Sequence, residues 1–286
     1  MRVTSVTISA ARELGKLFSR LHRLPRLETI NLTFFSAYGH WLDFDGEGRL
    51  ALQESTLRAL ATSFSVRSPS KLTSLSLHNL HTWDVSPLES PPFQAVLKTL
   101  RRLQLSVIYD RARDLAIASD RWSHFWGTLC CHLVLAPTQH FLTELARHGN
   151  VHVGASLKLC FAGLHFPRLR ALSCKILFEP SVGAEPFILR HAATLTRLHL
   201  IACKLPFDTP STPDEELTAV ITWKNIWDSF ATDLTALVAL HVDESDGDSL
   251  EYPFVHPGSA VYSTTGRCTL QHILIALTLW RSGGSA

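Results

Sequence analysis

The chain has 286 residues, of which 46% are hydrophobic and 18% are charged, and this composition excludes a chain that is disordered throughout. Its 27 basic and 25 acidic residues leave a net charge of +2, too small to predict binding to nucleic acid or to a membrane surface. Six cysteines without disulfide-scaffold spacing, and an N-terminus without an apolar leader, predict an intracellular protein, either cytoplasmic or nuclear.

A six-residue pattern, L-x-x-L-x-L, recurs along the chain. Its copies lie at residues 27–32, 72–77, 100–105, 142–147, 169–174, 195–200 and 237–242. The copy at 142–147 is degenerate, because Arg147 takes its last apolar position. The copy that starts at Leu195 continues to Leu205 as L-x-x-L-x-L-x-x-C-x-L, with Cys203 in the cysteine position, and this is the full signature of a leucine-rich repeat.

The spacing of the copies supports this interpretation. Three of the six intervals are 28, 27 and 26 residues, within the period of such repeats, and the other intervals of 45, 42 and 42 residues leave room for an inserted loop or an unrecognised unit. In each copy the leucines of a short strand point inward and the residues between them point outward. We therefore predict an α/β leucine-rich-repeat solenoid, with a curved parallel sheet on its concave side and helices and loops on its convex side.

Between the strands, several stretches have helical patterns. Apolar residues at helical spacing predict helices over residues 52–64 and 223–234, with shorter helical turns at 92–97 and 187–192. Residues 44–49, 206–216, 243–247 and 258–266 have the composition of loops. We predict a single domain over residues 1–286, in which 1–20 form an N-terminal cap or remnant and 258–286 an irregular C-terminal segment.

Residues 163–172, 187–191 and 195–205, and the W-x-x-x-W-x-x-F spacing from Trp223 to Phe230, resemble a large group of fungal leucine-rich-repeat proteins of the F-box type. The resemblance implies that the repeats hold the substrate of a ubiquitin ligase, while an F-box binds a Skp-type adaptor. The segment at residues 21–25 does not resemble an F-box, so such an adaptor is expected as a partner only if an F-box is missing from this chain.

Histidine and cysteine residues offer an alternative in enzyme chemistry. His148 with His152, and Cys160 with His165, have spacings that resemble metal ligands, although zinc sites bring ligands in tighter pairs. Cys130, Cys131 and His132 suggest a thiol nucleophile beside a base, but adjacent residues of a strand point to opposite faces. We predict packing roles for these residues, no metal, no cofactor and no enzymatic activity.

The remaining prediction concerns the outward-pointing strand residues, which form rows across neighbouring units. We expect a protein or peptide partner to contact His78, Arg102, Gln104, Lys175, Arg197, His199 and His241. These donors suit a partner with acidic or acceptor groups, and His199 and His241 predict tighter binding as the pH falls toward about 6. The alternatives are a Cys/His hydrolase or metal-dependent enzyme, a plain solvated face, and a non-functional repeat remnant.

Overall fold

The computed structural model describes residues 27–34, 46–65, 72–81, 86–108, 124–149, 163–176, 178, 183–203, 205 and 222–243, with scattered positions between 13 and 26. Most of the predicted N-terminal cap and the whole of the predicted C-terminal segment lie outside these residues. The predicted loops at 206–216 and 258–266 also lie outside them, as do His152 and Cys160.

Seven strands form one parallel sheet, and their order in the sheet is their order in the chain. The strands are β1 (Thr29–Thr33), β2 (Ser74–His81), β3 (Arg102–Ile108), β4 (Glu144–Gly149), β5 (Ala171–Cys174), β6 (Arg197–Ile201) and β7 (Ala239–Asp243). Each strand falls on one copy of the L-x-x-L-x-L pattern, which confirms the predicted α/β class and the single parallel sheet.

Leucine positions of the pattern align from strand to strand. Leu103 pairs with Leu75 on one side and with Leu145 on the other, and the row continues to Leu172 and Leu198. Since successive strand residues point to opposite faces, this register puts all of these leucines on one face of the sheet, where they are buried. Leu198 and Leu200 are buried as predicted, whereas Cys203 is only partly buried.

Described helical segments follow β1, β2, β3, β5 and β6, and they pack on the leucine face. They are α1 (Gly46–Ser65), α2 (Ser86–Glu89), α3 (Pro91–Leu97), α4 (Phe125–Leu135), α5 (Ala136–Thr138), α6 (Ala184–Arg190) and α7 (Trp223–Asp233). Their buried side chains belong to the same apolar cluster as the strand leucines. Within the described ranges, no helix is long and apolar enough to cross a membrane.

These helices correct two predictions about the segments that lie between the strands. Residues 46–49 were expected in a loop, but they form the first turn of α1, so the low helix propensity of two glycines at the start of a 20-residue helix does not prevent it. Cys130 and Cys131 were expected in a strand, but α4 is a π-helix with wide turns, in which Ala136 N–H bonds to the carbonyl of Cys131. The predicted helices at 52–64, 92–97, 187–192 and 223–234 are confirmed within one or two turns.

A repeated backbone junction joins neighbouring units. The carbonyl of Arg170 accepts the N–H groups of both Thr196 and Arg197, at 2.9 Å each, and the Thr196 hydroxyl donates to the same oxygen at 3.0 Å. The carbonyl of Arg101 is bound in the same way by Thr143 and Glu144. The pair of backbone bonds recurs at the start of each strand from β2 to β7 and fixes the parallel register there, whereas the hydroxyl bond is made only by threonine.

Arg147 is a charged side chain that lies within the core. Arg147 occupies a leucine position on β4, between Leu105 and Cys174, and is 2% exposed. Its guanidinium carbon lies 3.8 Å from the centroid of the Trp126 ring on α4, a cation–π contact. Burial lowers the pKa of Arg147 to about 10, against the opposing effect of Cys130, Cys131 and Cys174, and the group is still charged at neutral pH.

Candidate functional site

The face of the sheet opposite the leucines carries polar and small side chains, and we call it the polar face. Its members are the strand residues that alternate with the buried positions: Thr29, Asn31 and Thr33; Ser74, Ser76 and His78; Arg102, Gln104 and Ser106; Glu144, Ala146 and His148; Ala171 and Ser173; Arg197, His199 and Ile201; Ala239, His241 and Asp243. These residues are half-buried or exposed, so water reaches the face.

A depression of about 550 Å³ lies on this face across β3 to β7, and we call it the hollow. Every residue that lines it belongs to a strand, and no described helix closes it. Its floor is open because Ala146, Ala171 and Ala239 are small. The row of the sheet that contains Ala171 on β5 also contains an arginine on β3 and an arginine on β6. The small alanine therefore lies between long charged side chains.

Three charged side chains form a bridge along one side of the hollow. Arg197 Nη2 lies 3.2 Å from Glu144 Oε1, and Arg102 Nε lies 3.5 Å from Glu144 Oε2. Arg197 reaches Glu144 across the strand that carries Ala171, since an alanine side chain leaves the path free. Two guanidinium groups thus share one carboxylate, and this side of the hollow has a net positive charge.

Hydroxyl and imidazole groups form the neighbouring row. Ser173 Oγ lies 3.2 Å from His148 Nε2 and 3.5 Å from His199 Nδ1. The rings of His199 and His241 meet edge to face with centroids 4.5 Å apart. Burial lowers the pKa of His199, and the adjacent His241 lowers it further, against the opposing effect of Asp243. Protonation of His199 therefore needs a lower pH than that of a free imidazole, and the part of the predicted tightening that depends on His199 moves to lower pH.

Four of the residues predicted from the sequence line the hollow: Gln104, Arg197, His199 and His241. Arg102 reaches it through the shared carboxylate, and His78 lies on β2, outside the strands that line it. Lys175 departs from the expectation because its side chain is buried, at 8% exposed. The strand ends at Cys174, so Lys175 does not follow the alternation of faces that the sequence pattern predicts. Its backbone N–H donates to the carbonyl of Arg147 at 3.0 Å.

The residues that sequence reasoning missed lie on β4. Glu144, Ala146 and His148 occupy the same alternate positions as Arg102, Gln104 and Ser106 on the preceding strand. Their copy of the pattern was set aside as degenerate because of Arg147. The signal that could have found them is the intact Leu142-x-x-Leu145 frame, which places Glu144 and Ala146 on the polar face.

The cysteines offered as nucleophiles are poor candidates for that chemistry. Cys130 is fully buried, and burial raises its pKa to about 12, so its thiol stays protonated. Cys131 is also buried, and its Sγ donates to the carbonyl of Trp126 at 3.3 Å, whereas His132 on the same helix is exposed. Among the residues that the structure describes, no three His, Cys, Asp or Glu side chains are grouped so as to hold a metal ion.

Comparison of the chain with family models, with curated proteins and with solved structures finds no match in any of the three. The candidate site therefore depends on the geometry and chemistry of this chain alone.

Proposed function

We propose that the protein is a leucine-rich-repeat solenoid that binds a protein or peptide on its polar face, which is the concave side of the solenoid. One observation carries the proposal: the hollow, lined by strand residues and open to solvent. Parallel sheets in most α/β proteins have helices on both faces, so a parallel sheet with no described helix on its polar face is unusual outside such repeats. Strands that follow chain order and copies of the repeat pattern support the solenoid.

The chemistry of the hollow suits recognition rather than catalysis. It offers guanidinium, imidazole, hydroxyl and amide groups along an extended surface, and its small residues leave space for an incoming side chain. Arginine is enriched in protein interfaces because its planar group makes several directed hydrogen bonds. The resemblance to the fungal F-box type family adds a context, since there the repeats hold the substrate of a ubiquitin ligase.

The proposal is tested by selecting ligands from a displayed library of peptides with the purified protein. The selected peptides are then measured against the double variant Arg102→Glu/Arg197→Glu. A matched control, Lys98→Glu/Arg168→Glu, makes the same change in net charge at two exposed positions away from the hollow. Thermal melting confirms that both variants fold.

We expect the double variant to lose at least about tenfold in affinity, which corresponds to 1.4 kcal/mol, while the control keeps the affinity of the parent. Two results would contradict the proposal. The library could yield no specific peptide for the parent, or the selected peptides could bind both charge-reversed variants equally well.

A further inference from the structure

The bridge of Arg102, Glu144 and Arg197 is unbalanced in charge. Both oxygens of the Glu144 carboxylate are engaged, one by each arginine, and among the described residues that line the hollow Glu144 is the only carboxylate. The arginine side chains remain 65% and 61% exposed, and that of Glu144 is 37% exposed. Each guanidinium has five N–H donors and gives only one nitrogen to Glu144, so donors remain directed toward solvent.

The position of the bridge suits an acceptor that comes from outside. Ala171 separates Glu144 from Arg197 in the register, and the floor of the hollow lies beside it. A carboxylate placed above Ala171 can reach the free donors of Arg197 while its backbone runs past Ser173 and Gln104, which offer hydrogen bonds. Arginine and carboxylate form strong, directional bonds of this kind.

We propose that the partner is a peptide segment with an aspartate or glutamate side chain that binds Arg102 and Arg197. In this arrangement Glu144 is a built-in competitor, whose negative charge weakens the binding of the partner's carboxylate. The inference rests on the proposed function of the polar face. A doubly charged phosphate would meet the same net positive bridge, so phosphoserine peptides are included in the test to distinguish a phosphate from a carboxylate.

A set of peptides of otherwise identical sequence tests the inference. A peptide array carries many backgrounds, each with glutamate, glutamine, lysine or phosphoserine at its central position. The array is probed with the parent, with Glu144→Gln, with Arg102→Gln/Arg197→Gln and with Lys98→Gln as the control. Thermal melting of each variant shows that it is folded before binding is measured.

We expect glutamate peptides to bind the parent more tightly than their glutamine counterparts. Glu144→Gln should strengthen their binding about threefold, because one like charge is removed at a solvent-exposed site. The arginine double variant should lose the preference for glutamate over glutamine, and Lys98→Gln should keep it.

The outcomes separate this inference from the function on which it rests. If peptides bind the polar face without preferring glutamate, the proposed carboxylate contact is contradicted, whereas the proposed binding function is not. A preference for phosphoserine also overturns it, as does weaker binding of glutamate peptides to Glu144→Gln. If no peptide of any class binds the parent, the proposed function fails together with the inference.

Discussion

At the scale of single residues, His191 uses both ring nitrogens inside the protein. Its Nε2 accepts the backbone N–H of Phe166 at 2.9 Å, and its Nδ1 donates to the carbonyl of Phe187 at 2.7 Å. The ring is buried and packs against Phe166 and Phe187. This arrangement requires a neutral imidazole, because a protonated Nε2 could not accept a bond. His191 therefore ties the end of α6 to the loop before β5.

The protonation of His191 gives a prediction in pH. Burial lowers its pKa in the folded state, with smaller contributions from His165 and Arg190 against the opposing bond to Phe187. Above the unfolded pKa of about 6.5, both states are neutral and the stabilising bonds are fully present. As the pH falls below that value, the unfolded chain binds a proton and the folded chain does not, so the free energy of unfolding falls until the lowered pKa is reached.

We therefore expect His191→Gln to lower the free energy of unfolding by about 1–3 kcal/mol at pH 7.5. The reason is that the buried N–H of Phe166 loses the imidazole nitrogen that accepts its hydrogen bond. The difference in free energy of unfolding between parent and variant should become smaller from pH 6.5 to pH 5, because only the parent loses the stabilisation that depends on a neutral His191. Urea unfolding of both proteins across this range gives the measurement, and the other histidines cancel between them. A gap that is constant with pH would show that His191 does not titrate as argued.

Some of the side-chain positions could be predicted from the sequence, and others could not. Arg102, Gln104, Arg197 and His199 were predictable as surface residues because strand alternation depends only on position in the repeat. The burial of Lys175 was not predictable, because it depends on where β5 ends and on a bond to another unit. Nor was the contact of Arg147 with Trp126 predictable, since Trp126 lies outside every copy of the repeat pattern.

At the scale of elements, the strands were predicted, whereas helices α2, α4 and α5 were not. Each strand lies on a copy of the L-x-x-L-x-L pattern, so a regular sequence signal exists for it. Helix α4 lies in an interval of 42 residues between two copies of the pattern, and its apolar sequence fits a buried helix as well as a buried strand. The distinction between these depends on packing against β4, which a single sequence does not show.

The threonine hydroxyls at the junctions between units give a prediction about the bonds that join neighbouring strands. Thr196 and Thr143 donate to a carbonyl of the preceding unit at 3.0 Å, whereas the equivalent bond of Thr73 to Glu28 is 3.5 Å long. We expect Thr196→Val and Thr143→Val each to lower the free energy of unfolding by about 1 kcal/mol, and Thr73→Val to change it less.

Valine has the shape of threonine without its hydroxyl, so the series isolates the hydrogen bond. Chemical denaturation of the three variants, with the parent in parallel, measures the three differences. Equal losses at all three positions would mean that the hydroxyl contact does not account for the effect.

At the scale of the whole molecule, each strand pairs only with its sequence neighbours. The ladder runs from β1 to β7 without a crossover, so the end strands have no direct contact through the sheet. In such an arrangement the stability of one region depends mainly on the units beside it. Damage to β6 should therefore spread to β5 and β7 more readily than to β1–β3.

Leu200→Asp tests this nearest-neighbour arrangement. Leu200 is fully buried between Cys174 and Val242, and a carboxylate there loses its hydration without gaining a partner, at a cost above about 4 kcal/mol. Hydrogen exchange should show lost protection over β5–β7 and retained protection over β2 and β3. The control Ala239→Asp adds the same group on the exposed face of β7, and its exchange pattern should match the parent. If Leu200→Asp melts like the parent, the leucine register is wrong, and if all seven strands lose protection together, the sheet unfolds as a single cooperative unit.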